Sequence, residues 1–271
     1  MSAGTVAPPE PTATETDYRV TFAGLVRSEW IKFRSLRSSW YTLAAAAAAM
    51  VVFGVLIGYQ TGRHPANLDV EDTVASATLQ GYALAQLLIA VLGALFVSGE
   101  YGTGMIRSSM VAAPRRTPVL LAKLLVFGTI ALVTLVVASF VAFLAGEAVL
   151  SHYGLGFSLG DPTALRVTAG TGIYLTLVGL LGSAFGWLVR HTAGAISALL
   201  GLLLVVPGVF GNLLGNWGKD IARFLPSAGE SFIHSYTAPR TLAPWTGLAV
   251  TVVWVIALTA IAAVQLRRRD A

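Results

Sequence analysis

Six long apolar stretches, joined by shorter polar segments, form the dominant pattern along this chain. They cover roughly residues 40–58, 82–98, 119–145, 167–189, 194–211 and 245–266. An α-helix rises about 1.5 Å per residue, so stretches of this length match the hydrocarbon core of a bilayer, which is about 30 Å thick. We therefore predict an all-α, polytopic integral membrane protein with six transmembrane helices.

The segment that precedes the first apolar stretch has its own helical pattern. Residues 21–39 place apolar side chains on one side and Arg27 and Arg34 on the other. A basic amphipathic helix of this kind tends to lie in the membrane interface. We predict such an interfacial helix, with an apolar side made of Phe22, Val26, Trp30, Phe33, Leu36 and Trp40. Its interfacial residues are predicted to include Glu29, Trp30, Lys32, Arg34 and Arg37.

The first 20 residues are rich in Pro, Thr, Ala and Glu and predict a disordered cytoplasmic tail. We expect no cleavable signal peptide, so the first apolar stretch would act as a retained signal anchor.

Glu29 departs from the amphipathic pattern because its carboxylate projects into the apolar side of the helix. It can pair with Lys32, three residues further along, or extend toward water. It can also serve as a contact for a partner subunit. The sequence favours pairing with Lys32 or extension toward water, and it leaves the contact with a partner subunit open.

A polar segment, residues 99–118, lies between the second and third stretches. Thr103 is a suitable N-cap for a short helix, and Pro114 would end it. One face of this helix would hold Met105, Ile106, Ser109, Met110 and Ala113. Such a Met-bearing face, close to Glu100 and to a pair of arginines, fits docking into a groove of another protein. An ordinary cytoplasmic loop, whose arginines only set the orientation, explains the segment equally well.

Small residues spaced four apart occur in three of the predicted spans. The pairs are Gly54 and Gly58, Gly182 and Gly186, and Ser197 and Gly201. They let helix backbones approach closely, either within the chain or in a dimer.

The last third of the chain contains several interruptions. Only residues 190–193 separate the fourth and fifth spans, which requires a tight hairpin. Pro207 predicts a kink or a break in the fifth span. Residues 212–244 are too polar to cross the membrane twice and too apolar for a free loop. We predict an outer re-entrant segment there, made of short helices that dip into the bilayer and return.

The distribution of charge predicts the orientation. If the N-terminus is cytoplasmic, 13 of the 18 basic residues lie on the cytoplasmic side and 5 lie outside. This asymmetry has the sign that the positive-inside rule requires, so both termini are predicted to be cytoplasmic. The net charge of +5 does not indicate nucleic-acid binding, because the basic residues alternate between segments instead of forming one patch.

Composition supports lipid as the solvent and argues against an enzyme. Charged residues make up 11% of the chain, against roughly 25% in a soluble domain. Cysteine is absent from the sequence, the four histidines stand in separate segments, and no H-E-x-x-H, G-x-S-x-G or complete P-loop motif occurs. We predict no catalytic, metal or cofactor site in this chain.

Ionisable groups deep within the spans are also scarce, which weakens the case for an ion-coupled carrier. Glu147 and Arg190 stand near span ends, and Lys123 is expected to extend its ammonium group toward water. Gln86 is the clearest polar residue well inside a span. The energy for any transport is therefore expected to come from another source.

Three parts of the chain together resemble the membrane subunit of bacterial ABC exporters of the ABC-2 type. The first is the basic segment 27–38, and the second is SGEYGTG at 98–104, with Pro-Arg-Arg at 114–116 and Ala-Lys at 122–123. The third is the semi-apolar segment before the last span, with Leu-Pro-Ser at 225–227. The resemblance covers nearly the whole chain.

The resemblance implies a bacterial plasma-membrane complex of two permease copies, as a homodimer or a heterodimer, with two separate ABC ATPase subunits that use ATP. The permease itself would hold no cofactor. Residues 100–116 would contain the coupling helix that docks on the ATPase, with the interfacial helix beside it. The implied coupling residues are Glu100, Tyr101, Thr103, Met105, Ile106, Arg107, Met110, Arg115 and Arg116. Closure of the ATPase pair would then rock the spans and open a path between the two permeases.

Two other interpretations stay open. The chain could be a stand-alone carrier or channel, or a membrane partner that transports nothing, such as a sensor or an anchor. The apolar interior favours an amphipathic or hydrophobic cargo.

Overall fold

The structure, a computed structural model, describes residues 21–64, 78–112, 116–155, 158–235 and 240–268. The predicted tail over residues 1–20 and the predicted coupling residue Arg115 lie outside the described residues, as does the side chain of Arg107.

The described residues form helices joined by short connections. In chain order the α-helices are α1 Phe22–Ser35, α2 Arg37–Arg63, α3 Tyr82–Gly102, α4 Met105–Ala112, α5 Arg116–Ser151, α6 Pro162–Val189, α7 Thr192–Leu200, α8 Val206–Leu213, α9 Gly215–Ala222 and α10 Pro244–Arg268. A π-helical turn, Gly201–Val205, joins α7 to α8, and a 3₁₀-helix, Pro226–Phe232, follows α9.

All six predicted spans are present. They are α2, α3, α5, α6, the continuous helix Thr192–Leu213 and α10, each long and apolar enough to cross a membrane. The prediction of an all-α polytopic membrane protein is thereby confirmed. The helix α5 extends beyond the predicted stretch, residues 119–145, at both ends.

Four of the spans form the core of the bundle. α6 packs against α3 and α5, and α2 packs across α5 and α3. The fourth span is the most enclosed, with 67% of its most apolar window buried in the chain, against 17% for the fifth and sixth spans. The two late spans therefore present most of their surface to whatever surrounds the chain.

Close helix contact explains two of the three predicted pairs of small residues. A Cβ added to Gly182 would lie 2.5 Å from the carbonyl oxygen of Ala90 on α3. A Cβ on Gly58 of α2 would lie 3.3 Å from the carbonyl oxygen of Gly146 on α5. Gly201, by contrast, has nothing within 4 Å of an added Cβ in the described part of the chain.

Replacing Gly182 by alanine is expected to destabilise the protein by about 1–3 kcal/mol, because the new methyl group collides with rigid backbone of α3. Gly99→Ala is the matched control, since its Cβ would meet nothing within 4 Å. Thermal unfolding in detergent measures both. Equal effects of the two substitutions would show that the α3–α6 contact is looser than described.

The amphipathic helix ends earlier than predicted. α1 begins at the N-cap Thr21, whose Oγ1 accepts a hydrogen bond of 3.2 Å from the backbone N–H of Gly24. It ends at Ser35, because Leu36 is extended, with φ −85° and ψ 95°. Residues 37–39, predicted as part of the interfacial helix, are the first turn of α2.

The fifth span stays continuous through Pro207. Pro207 stands in the first turn of α8, where the missing N–H and the ring require room in the preceding turn. The π-helical turn at Gly201–Val205 provides that room, and the chain stays helical from Thr192 to Leu213. The predicted tight hairpin before this span is confirmed. Arg190 is left-handed, with φ 58°, and the imidazole of His191 caps α7.

The two ends of the bundle have different contacts. The basal end contains α1, the end of α3, α4, the start of α5 and the end of α10. There the guanidinium of Arg116 donates to the carbonyl oxygen of Leu266 at 3.1 Å. The distal end contains α9 and the 3₁₀-helix. Arg166 of α6 holds it by donating to the carbonyl oxygens of Phe232 and His234, at 2.7 and 3.0 Å.

Short helices are present in the predicted outer segment. α9 and the 3₁₀-helix lie between the fifth and sixth spans, and the 3₁₀-helix packs on α10 and α6. Thr251 of α10 fixes it, because its hydroxyl accepts from the N–H of Gly229 and donates to the carbonyl oxygen of Pro226. The 3₁₀-helix is thus part of the packed bundle.

Candidate functional site

Four charged side chains form a closed cluster inside the basal end. We call it the ion quartet, and its members are Glu29 and Lys32 of α1, Glu100 of α3 and Lys123 of α5. The ammonium group of Lys123 lies 2.6 Å from Glu29 and 2.8 Å from Glu100. Lys32 lies 2.8 Å from Glu29 and 3.2 Å from the same oxygen of Glu100. The quartet has no net charge and joins three separate helices.

Two members of the quartet are almost fully buried. The side chains of Lys123 and Glu29 are 0% and 3% exposed, whereas that of Lys32 is 21% exposed. The ammonium group of Lys123 also lies 4.4 Å from the centre of the Phe96 ring, a cation–π contact. The expectation that Lys123 extends toward water is therefore wrong. Glu29 of α1 and Glu100 of α3 lie within contact distance of the ammonium group, so carboxylates balance its positive charge inside the bundle.

Lys32 is held in its charged form. Burial lowers the pKa of Lys32, but the hydrogen bond and the negative charge of Glu29, together with Glu100, outweigh burial and raise the pKa above its usual value of 10.5. Of the two explanations for Glu29, the pairing with Lys32 is present. Glu29 makes a shorter contact with Lys123 of α5, which is 94 residues away in the sequence.

α4 is fixed to the basal end by only one of its faces. Ile106 and Met110 are 3% and 8% exposed and pack with Val119, Trp187 and Leu266. The opposite side of the helix carries Met105, which is 47% exposed, and Val111, which is 85% exposed. The predicted shared face is thus divided, because its two most apolar members are used within the chain itself. Among the described apolar side chains of α4, that of Val111 is the most exposed.

The other predicted coupling residues occupy three different environments. Tyr101 is half-buried, with the guanidinium of Arg190 5.4 Å from its ring centre. Thr103 is exposed and does not cap α4, which begins two residues later; it ends α3, where its hydroxyl donates to the carbonyl oxygen of Gly99 at 3.0 Å. Arg116 is half-buried and holds the end of α10.

The predicted interfacial residues of α1 divide between its two sides. Glu29 and Lys32 belong to the ion quartet, with Phe33 buried beside them. Trp30 and Arg34 of α1 are exposed, as is Arg37, the first residue of α2. The apolar side predicted from the sequence is divided in the structure: Phe33 packs inward, whereas Trp30 is exposed. Packing against α5 decides this orientation, and the helix's own pattern could not reveal it.

The ion quartet links three helices at the basal end. Both carboxylates of the quartet are taken by lysines. Within the described ranges, no group of three His, Cys, Asp or Glu side chains is placed to hold a metal ion. What the quartet can do is make α1, α3 and α5 move together, because separating them would expose buried charges to an apolar environment.

Comparison with known proteins agrees with this organisation of helices. The family described as ABC-2 family transporter protein matches residues 25–208, well over half of the chain. The chain belongs to the ABC-2 transporter family. This ABC-2 protein is thus a multi-pass membrane transport component and not itself an enzyme. All four quartet residues and α4 lie within the matched region. A search of curated proteins finds no match.

A half-buried carboxyl group of the ABC-2 protein lies at its distal end, beyond the matched region. Glu230 of the 3₁₀-helix accepts a hydrogen bond of 3.1 Å from the hydroxyl of Tyr174, and Gln86 lies beside it. Burial raises the pKa of Glu230 above its usual value of 4.5, although these neighbours oppose the shift. The sequence does not reveal this contact, because Glu230 and Tyr174 are 56 residues apart.

The raised pKa of Glu230 gives a pH-dependent stability. The folded protein binds this proton more tightly than the unfolded chain, so the contribution is present below pH 4.5 and is lost as the pH rises through the raised pKa. Glu230→Gln keeps an acceptor for Tyr174 without the charge. We expect its melting temperature to equal that of the wild type in acid and to exceed it increasingly toward neutral pH. Asp220→Asn, at an exposed carboxyl of α9, is the control and should show no such trend.

Proposed function

We propose that this ABC-2 protein is the permease subunit of an ATP-driven ABC exporter and that a separate ATPase subunit docks on the exposed side of α4. The observation that carries the proposal is the division of α4 into two faces. Ile106 and Met110 fix the helix to the bundle, while Val111, 85% exposed, is left on its outer side. An exposed apolar residue on a rigidly held short helix is suited to a groove in another protein.

The quartet supports the coupling step of the proposal. A push on α4 would reach α3 directly, since only Thr103 and Gly104 separate the two helices. Glu100, in the last turn of α3, would pass the displacement to α5 through Lys123 and to α1 through Lys32. Because buried ion pairs resist separation, the three helices would move as one rigid body and not bend individually.

The exposed late spans support a second copy of the permease. Gly201, Gly208 and Gly211 of the fifth span have open space around an added Cβ, and Ser197 on the same span is exposed. Such small residues allow a neighbouring helix to approach closely. The second copy could be identical or a related chain, and the translocation path would lie between the two.

The proposed location is the bacterial plasma membrane, with the basal end and both termini in the cytoplasm. This orientation places α4 where ATP is available. It also agrees with the excess of basic residues on that side, which the positive-inside rule associates with the cytoplasm.

Purification of the tagged, full-length chain from its native membranes tests the proposal. We expect a Walker-bearing ATPase to co-purify, and ATP-dependent flux after reconstitution of the complex into liposomes. Flux by this chain alone, without ATP, would indicate a carrier or channel instead. A stable complex that shows no ATP-dependent flux of any amphipathic cargo tested would indicate a non-transporting partner.

A further inference from the structure

The two faces of α1 differ in charge and in what they contact. The inner face, with Glu29 and Phe33, is buried, at 3% and 0% exposure. The opposite side is exposed and consists of Arg27, Trp30, Ile31 and Arg34, which we call the outer face of α1. The ion quartet fixes the rotation of α1 about its own axis, because turning the helix would break the buried ion pairs of Glu29 and Lys32.

The outer face combines positive charge with large apolar side chains. Arg27 and Arg34 are seven residues apart, so they lie on the same side of the helix, two turns or about 10 Å from each other. Trp30 and Ile31, 42% and 54% exposed, lie between them. No acidic residue is part of this face, and among the described residues neither arginine has an ion-pair partner.

The start of the first span also carries an exposed arginine and an exposed aromatic side chain. Arg37 is exposed in the first turn of α2, and Tyr41, one turn later, is 72% exposed. Since α2 is long and apolar enough to span the bilayer and only Leu36 separates it from α1, the outer face of α1 would lie at the level of the lipid headgroups. Aromatic residues at that depth, beside arginines, are typical of the membrane interface.

We propose that the outer face of α1, together with Arg37, is a binding site for the phosphate groups of anionic phospholipids. Trp30 and Ile31 would insert at the boundary between headgroups and acyl chains, while Arg27 and Arg34 would donate hydrogen bonds to phosphate oxygens. A protein partner is a weaker fit, because half of this face is apolar and its linkage to α2 holds it at the membrane surface. The site would anchor α1 and so set the position from which the quartet acts.

Native mass spectrometry of the detergent-purified, full-length chain, with added dioleoylphosphatidylglycerol or dioleoylphosphatidylcholine, tests the proposal. The wild type is expected to retain phosphatidylglycerol preferentially. Arg27→Gln with Arg34→Gln should weaken that binding by roughly fivefold for each arginine. Arg27→Lys with Arg34→Lys should keep most of it, and added salt should reduce the difference between the variants.

The matched control removes two exposed charges elsewhere, by Arg63→Gln with Lys219→Gln, and should leave phosphatidylglycerol binding unchanged. Melting temperatures of all variants verify that each is folded, since none of these four side chains is buried. Equal retention of the two lipids by the wild type would overturn the proposal. So would unchanged binding in the double glutamine variant. Loss of ATPase co-purification in that variant, with lipid preference intact, would assign the outer face to a protein partner instead.

Discussion

Replacing Lys123 by methionine is expected to lower the free energy of unfolding by about 3–5 kcal/mol. Methionine fits the space of the lysine stem but leaves Glu29, only 3% exposed, without its closest cation, and Glu100 with Lys32 alone. An uncompensated charge in an apolar interior costs far more than the pair contributes. Thermal unfolding of the purified protein in detergent measures the loss.

A second substitution separates charge from packing in the same variant. Adding Glu29→Gln to Lys123→Met leaves Lys32 and Glu100 as a neutral pair. We expect the double variant to be more stable than the Lys123→Met variant, with a coupling free energy above about 1 kcal/mol. Lys219→Met, at an exposed lysine of α9, is the control and should change stability by less than about 0.5 kcal/mol. If the effects at Lys123 and Glu29 simply add, the quartet does not hold the basal end together.

The largest effect on assembly is expected from Val111→Glu. This residue is 85% exposed and lies on the side of α4 that faces away from the bundle. A charge at the centre of an apolar contact should weaken binding of the ATPase subunit by about 30-fold or more, an effect typical of an interface hot spot. The melting temperature of the permease should not change, because the side chain contacts little of its own chain. Affinity measured with immobilised permease checks the prediction.

Two further substitutions make the α4 experiment specific. Asn216→Glu introduces the same charge at an exposed position of the distal end and should leave ATPase binding intact. Ile106→Glu should instead unfold the basal end, because Ile106 is 3% exposed. Full ATPase affinity in the Val111→Glu variant would show that the partner binds elsewhere.

The spans could be predicted from the sequence because hydrophobic length is a local property. Each apolar run is by itself long and apolar enough to form a helix that spans lipid, and all six runs are helices in the structure. The hairpin at residues 190–193 was predictable for the same reason. The helices extend beyond several of the predicted runs, as α5 does at both ends, and no local rule predicted the extended backbone of Leu36.

The ion quartet could not be predicted in this way, because it depends on contacts between distant parts of the chain. Glu29 and Lys123 are 94 residues apart, and Lys32 and Glu100 are 68 apart. A lysine within an apolar run was the available signal, since such a residue requires either water or a carboxylate. Which of the two applies depends on the packing of α1 against α5. The division of α4 into a buried and an exposed face has the same origin.

Site-specific photo-crosslinking from Val111 in native membranes tests the central claim most directly. A crosslinking amino acid at this position, activated in cells that contain the whole complex, should form an adduct with a separate, Walker-bearing ATPase. The same probe at Asn216 should not form it. An adduct with that ATPase from Asn216 and none from Val111 would contradict the account.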